Sequence, residues 1–137
     1  MANFAKLRVW NKAHALALNV YRLAATIRGS ANSSLRNQMT RSAMSIPANI
    51  VEGRGQTSPK EFARFLGYAL NSSSELEYHL VVARDLGLIS ESHFRSLSDQ
   101  IVDVRKMLYG LTKRLANPDA STPSPHDSVP TSCSEQR

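Results

Sequence analysis

The sequence predicts an all-α fold, an up-down-up-down antiparallel four-helix bundle, and three observations carry that prediction. Apolar residues recur with a helical period as far as residue 116, and no stretch alternates as a strand would. Short runs of Gly, Ser and Pro divide these repeats into separate segments. A chain of 137 residues is enough for one domain of ordinary size and too short for two. The bundle is assigned to residues 1–116. Residues 117–137, rich in Pro, Ser and Thr and almost without large apolar groups, are expected to be a disordered tail.

The first helix is expected at residues 7–27. At 100° per residue, Trp10, Ala13, Ala17, Val20, Tyr21, Ala24 and Ile27 share its apolar face. Arg8, Lys12, Asn19 and Arg22 fall on the opposite side. The second helix is expected at residues 34–52, with Leu35, Met39, Ala43, Ile46 and Ile50 turned to the core. Pro47 inside it removes a backbone donor and should kink it. Gly53 and Gly55 are expected to break the chain before the next helix.

The third helix opens on Ser58-Pro59-Lys60-Glu61, a capping box with proline at the first helical position. Phe62, Leu66, Ala69, Ser73, Leu76, Leu80 and Ala83 then alternate spacings of four and three. Gly87 ends this helix and Ser90 caps the next. The fourth carries the clearest heptad seam, through Phe94, Leu97, Ile101, Val104, Leu108, Leu111 and Leu115. Off these seams lie Leu18, Met44, Val51, Tyr78 and Val82. Met44, Val51, Tyr78 and Val82 are the candidate subunit interface of a homo-oligomer.

Enzyme chemistry finds little support. A single cysteine, Cys133, excludes an internal disulfide and any cysteine-based metal cluster. His14, His79, His93 and His126 lack ligand spacing, and Glu75 with His79 has no second pair of the kind a di-metal bundle requires. His14 is expected to be a partly buried packing residue. No nucleophile triad or phosphate loop is present, so neither metal nor other cofactor is expected. No apolar run is long enough to cross a bilayer, and without an export signal the expected location is the cytoplasm.

Charge is more informative. The formal net charge is +6, and residues 1–51 contain Lys6, Arg8, Lys12, Arg22, Arg28, Arg36 and Arg41 without one Asp or Glu. A solvated face usually mixes signs, so this asymmetry points to a polyanionic partner. The candidate nucleic-acid contacts are Arg8, Lys12, Arg22, Arg36, Arg41, Arg54 and Lys60. The second helix also carries a polar stripe, Gln38, Arg41, Ser45, Asn49 and Glu52, on one side. It suits ligand binding, or mutual satisfaction and cross-linking of subunits; the structural or interface reading is favoured.

The stretch Arg41-Ser42-Ala43-Met44-Ser45-Ile46-Pro47-Ala48-Asn49-Ile50-Val51-Glu52-Gly53, followed by Glu61-Phe62 and Phe65-Leu66, resembles the four-helix-bundle proteins encoded in intervening sequences of 23S rRNA. The resemblance extends over nearly all of residues 4–115. It implies a left-handed bundle, often a ring of five, without enzyme activity. It also implies a distant likeness in fold to the basic accessory protein of diversity-generating retroelements. The expected function is binding of structured RNA through a basic face. The alternative is an oligomeric protein scaffold, for instance for a retroelement polymerase.

Because the tail offers nothing to bury, truncation before Pro118 should leave helix content and melting temperature unchanged. Circular dichroism of full-length and truncated chains checks this. A loss of more than about 1 kcal/mol would mean that the tail docks on the bundle.

Overall fold

The computed structural model describes Phe4 and residues 7–117; of the tail expected at residues 117–137, all from residue 118 onward lies outside the described residues. Four helices, α1 (Arg8–Ala24), α2 (Ser33–Arg54), α3 (Pro59–Asp85) and α4 (Glu91–Ala116), account for nearly all of them, with one short 3-10 turn at Ser30–Asn32. No strand occurs among the described residues.

Neighbouring pairs are α1–α2, α2–α3, α3–α4 and α1–α4. Side-chain contacts give their directions. Between α2 and α3, Ser42 meets His79, Ser45 meets Ser72 and Gly53 lies against Phe62. The partner number falls as the other rises, so this pair is antiparallel. Between α3 and α4, Glu77 pairs with Arg105 and Arg84 covers the Phe94 ring, again antiparallel. Asn19, Arg22 and Leu23 of α1 and Thr26 just past its end share a groove with residues 93–100 of α4, Asn19 bonding Gln100. Given these directions and the short connection, α1 and α2 must also be antiparallel.

The seams on α2, α3 and α4 stand where the sequence puts them. All seven α3 seam residues from Phe62 to Ala83 are buried. In α4, Leu97, Ile101, Val104 and Leu108 are buried, while Phe94, Leu111 and Leu115 pack partly exposed against them. The α1 face is rotated from the expected one. Val9, Leu16 and Leu23 enter the core, whereas Tyr21 is 55% exposed and Trp10 half-buried. Tyr and Trp each carry a polar group that favours the solvent edge, so purely aliphatic Leu16 takes the centre. His14 is exposed, its ring stacked on Trp10 at 4.8 Å, and not partly buried as expected.

Helix ends follow from local chemistry. Ser58 Oγ accepts the Glu61 backbone N–H at 3.1 Å, and Ser90 Oγ accepts that of His93 at 3.0 Å. Gly87, at φ 74°, closes α3 in a Schellman motif: Leu88 N–H reaches the Ala83 carbonyl and Gly87 N–H that of Arg84. The α1 end falls at Ala24, short of residue 27, because Thr26 and Ile27 N–H groups tighten onto the carbonyls of Leu23 and Ala24. Ile27 stays buried nonetheless.

Two expectations for α2 need correction or refinement. The helix continues past Glu52 to Arg54, so Gly53 is a buried helical residue and not the break. Pro47 is buried, and α2 runs helical on both sides of it. Gly53 is there for space. A Cβ at this position would stand 2.8 Å from Phe62 Cδ1, 2.9 Å from Phe65 Cβ and 3.2 Å from the Phe62 carbonyl.

Gly53→Ala should therefore destabilise the fold. Alanine gains up to about 1 kcal/mol in helix propensity, but overpacking against two aromatic residues and a carbonyl costs about 1–3 kcal/mol. Gly67 in α3 has nothing within 4 Å of the same built atom, so Gly67→Ala should stabilise by about 0.5–1 kcal/mol. Urea unfolding of both variants checks the opposite signs.

Candidate nucleic-acid interface

The antiparallel arrangement sorts the basic residues by end. The start of α1, the end of α2, the start of α3 and the end of α4 lie together. This end gathers Arg8, Lys12, Arg54, Lys60, Lys113 and Arg114, all but the half-buried Arg114 exposed. Its acids are Glu52 and Glu61, and Glu61 is engaged by Arg64 at 3.0 Å. Sequence reasoning missed Lys113 and Arg114, which lie a hundred residues from Arg8 in a segment of mixed charge. The signal was present only as two cations in the last turn of α4.

Other expected contacts stand elsewhere. Arg22 is ten residues from Lys12, so about 15 Å along the axis. That exceeds the screening length of about 8 Å at physiological ionic strength, so the two act as separate charges. Arg36 donates to the carbonyls of Ile27 and Gly29 at 3.0 and 2.9 Å, tying the α1–α2 corner, where Gly29 takes φ 97°. Arg41 sits mid-helix and donates to Gln38 Oε1 at 3.1 Å. The expected basic face is thus divided. Near the opposite end, Arg84 pairs with Asp85 and Arg95 with Glu91, so much of its positive charge is met locally.

A groove of about 450 Å³ separates the last turns of α1 from the first turns of α4. Its floor is Leu23 and Leu97, and its walls carry Asn19, Arg22, Thr26, His93, Ser96 and Gln100. Asn19 Nδ2 donates to Gln100 Oε1 at 3.0 Å and spans the groove.

The polar stripe of α2 lies in or beside its seam with α3. Ser72 Oγ bonds Ser45 Oγ at 2.8 Å, and Asn49 Nδ2 donates to the Ser45 carbonyl and Oγ at 2.8 and 3.0 Å. Glu52 remains exposed at its far end. Ser42 Oγ lies 3.3 Å from His79 Nδ1, with Glu75 one turn away, which invites comparison with a catalytic triad. The chemistry argues otherwise. The Ser42 hydroxyl has the Gln38 carbonyl at 2.8 Å as acceptor for its hydrogen and the residue is only 4% exposed, which suits an internally satisfied packing residue and not a nucleophile. Met44 and Tyr78, at 44% and 65% exposure, point to solvent, while Val51 and Val82 are half-buried. Among the described residues, no three His, Cys, Asp or Glu side chains converge as metal ligands, and no helix is long and apolar enough to cross a membrane.

Comparison with known proteins fits this architecture. Residues 5–110 match the family model of the 23S rRNA-intervening sequence protein. A protein of unknown function from the S23 ribosomal protein family of Bacteroides thetaiotaomicron has a similar crystal structure, with a TM-score of 0.72 and 25% identity. That match covers 77% of this chain and 98% of the other. No curated protein matches the chain.

Burial lowers the His79 pKa below its ordinary value; Glu75 opposes the shift and Arg41 adds to it. The unfolded chain then binds a proton more readily than the folded one. Stability conferred by neutral His79 is complete above about pH 7 and declines as pH falls below about 6.5 toward the depressed folded value. Thermal melts between pH 7.5 and 5 should show this decline, and His79→Gln should make it shallower. Equal pH slopes for the two proteins would exclude His79 as its source.

Proposed function

Since the chain belongs to the 23S rRNA-intervening sequence protein family, we propose that it is a non-enzymatic, self-associating bundle that binds structured RNA through the basic end of its helices. The observation that carries the reading is where the cations sit relative to the helix dipoles. Arg54 and the pair Lys113 and Arg114 occupy last turns, where positive charge complements the carbonyl end. Arg8 and Lys60 do the reverse. They stand in the first turns of α1 and α3, against the direction of the helix dipole, and in α3 Glu61 shares that turn but is engaged by Arg64. Each such placement costs about 0.3–1 kcal/mol, and a bound polyanion offsets that cost.

The bundle end offers cations on several helices, which suits the phosphate backbone and the shape of RNA more than base identity. Exposed Met44 and Tyr78, together with Val51 and Val82, favour packing of one copy against another. In a ring of five the basic ends would be repeated, and weak contacts would add through multivalency.

Lys12→Glu, Arg54→Glu, Lys60→Glu and Lys113→Glu combined should weaken binding to every RNA tested. The log–log salt slope should flatten by about 3, since each phosphate contact to a single strand contributes roughly −0.7. These side chains are exposed, so folding and mass by light scattering should not change. A salt titration of affinity for wild type and variant decides. Equal affinities and slopes would remove this end from the mechanism, and no binding by wild type at low salt would leave the protein-scaffold alternative.

A further inference from the structure

The groove between α1 and α4 lies too far from the basic end to share its field, yet its chemistry complements that end. We infer that this groove seats one phosphate-bearing nucleotide unit, a second contact point for the RNA that the preceding reading brings to the bundle. The inference rests on that reading for the identity of the polymer, but not for the chemistry of the groove.

The case begins with packing. Of the four neighbouring pairs, α1 and α4 have the least extensive contact, and the space left between them is about 450 Å³. Small-ligand sites typically span about 300–1,000 Å³, with an apolar floor and a few placed polar groups. Leu23 and Leu97 supply such a floor. No carboxylate lines the groove. Glu91, in the same end of α4, is engaged by Arg95, and Asp99 is not among the lining residues.

Donors prevail on the walls. Arg22 makes a single hydrogen bond among the described residues, at 3.5 Å to Asn19, so most of its guanidinium fork remains available. The His93 imidazole has no hydrogen-bond partner among the described residues, although its backbone N–H is held by Ser90. Ser96 Oγ accepts from Gln100 at 3.4 Å and keeps its own hydrogen to donate. Thr26 has given its hydrogen to the Leu23 carbonyl at 2.6 Å and can only accept. Three donors from two helices and one acceptor above an aliphatic floor match a phosphate beside a ribose: Arg22, His93 and Ser96 toward the phosphate, Thr26 toward a sugar hydroxyl. A purely cationic ligand would meet Arg22 and no carboxylate.

The test uses the full chain labelled with nitrogen-15, titrated separately with inorganic phosphate, uridine monophosphate and a uridine decanucleotide. Resonances of Thr26, His93, Ser96 and the Gln100 side-chain amide should move with the mononucleotide and further with the oligonucleotide. Arg22→Gln with His93→Gln should cut mononucleotide affinity about ten-fold, as expected for losing charge-assisted hydrogen bonds. Folding should be retained because both side chains are exposed. Movement with the mononucleotide alone, without oligonucleotide binding, would keep the groove as a nucleotide site and overturn the RNA reading. Oligonucleotide binding that leaves these resonances and the double variant unaffected would overturn the groove and keep the basic end. Silence toward all three probes would overturn both.

Discussion

The structure depends on how closely α2 and α3 approach. That approach is possible only because small side chains line the seam: Gly53 under Phe62 and Phe65, Ser45 against Ser72. The two serine hydroxyl oxygens stand 2.8 Å apart across the contact. Polar atoms in such a seam need partners, because an unsatisfied buried donor or acceptor costs about 1–3 kcal/mol. Asn49 supplies them to Ser45, and His79 and the Gln38 carbonyl supply them to Ser42. Of the polar stripe on α2, Ser45 and Asn49 belong to this contact, while Arg41 and Glu52 stay exposed.

A tight pair on one side leaves slack on the other. Leucines and isoleucines fill the centre of the bundle, but α1 and α4 are the least closely packed of the four neighbouring pairs, and Asn19 bonds Gln100 across a gap flanked by polar side chains. The groove is thus a consequence of the same distribution of side-chain volumes that closes α2 on α3.

Charge follows topology in a similar way. Antiparallel helices bring alternate termini together, so cations distributed over the chain are gathered at one end while others are paired or used as caps. Arg36 shows the difference. As a sequence position it belongs to the acid-free stretch that suggested a polyanion; in the fold its guanidinium holds two carbonyls at the α1–α2 corner.

What the sequence by itself determined is what repeats locally. The seams of α2, α3 and α4, the caps at Ser58 and Ser90 and the turn at Gly87 depend on residues at most about seven apart, and these could be read directly. The α1 face was legible only approximately: its apolar arc is broad, and the choice of Leu16 over Tyr21 as centre was made by the neighbours that cover it. Gly53 looked like a chain break because a glycine that relieves crowding is indistinguishable, in sequence, from one that turns the chain. Only the tertiary structure joined Lys113 and Arg114 to Lys12, set His93 opposite Arg22, and turned Ser45 toward Ser72. Such juxtapositions depend on helix direction and axial offset, which side-chain volumes at the contacts determine and no local period records.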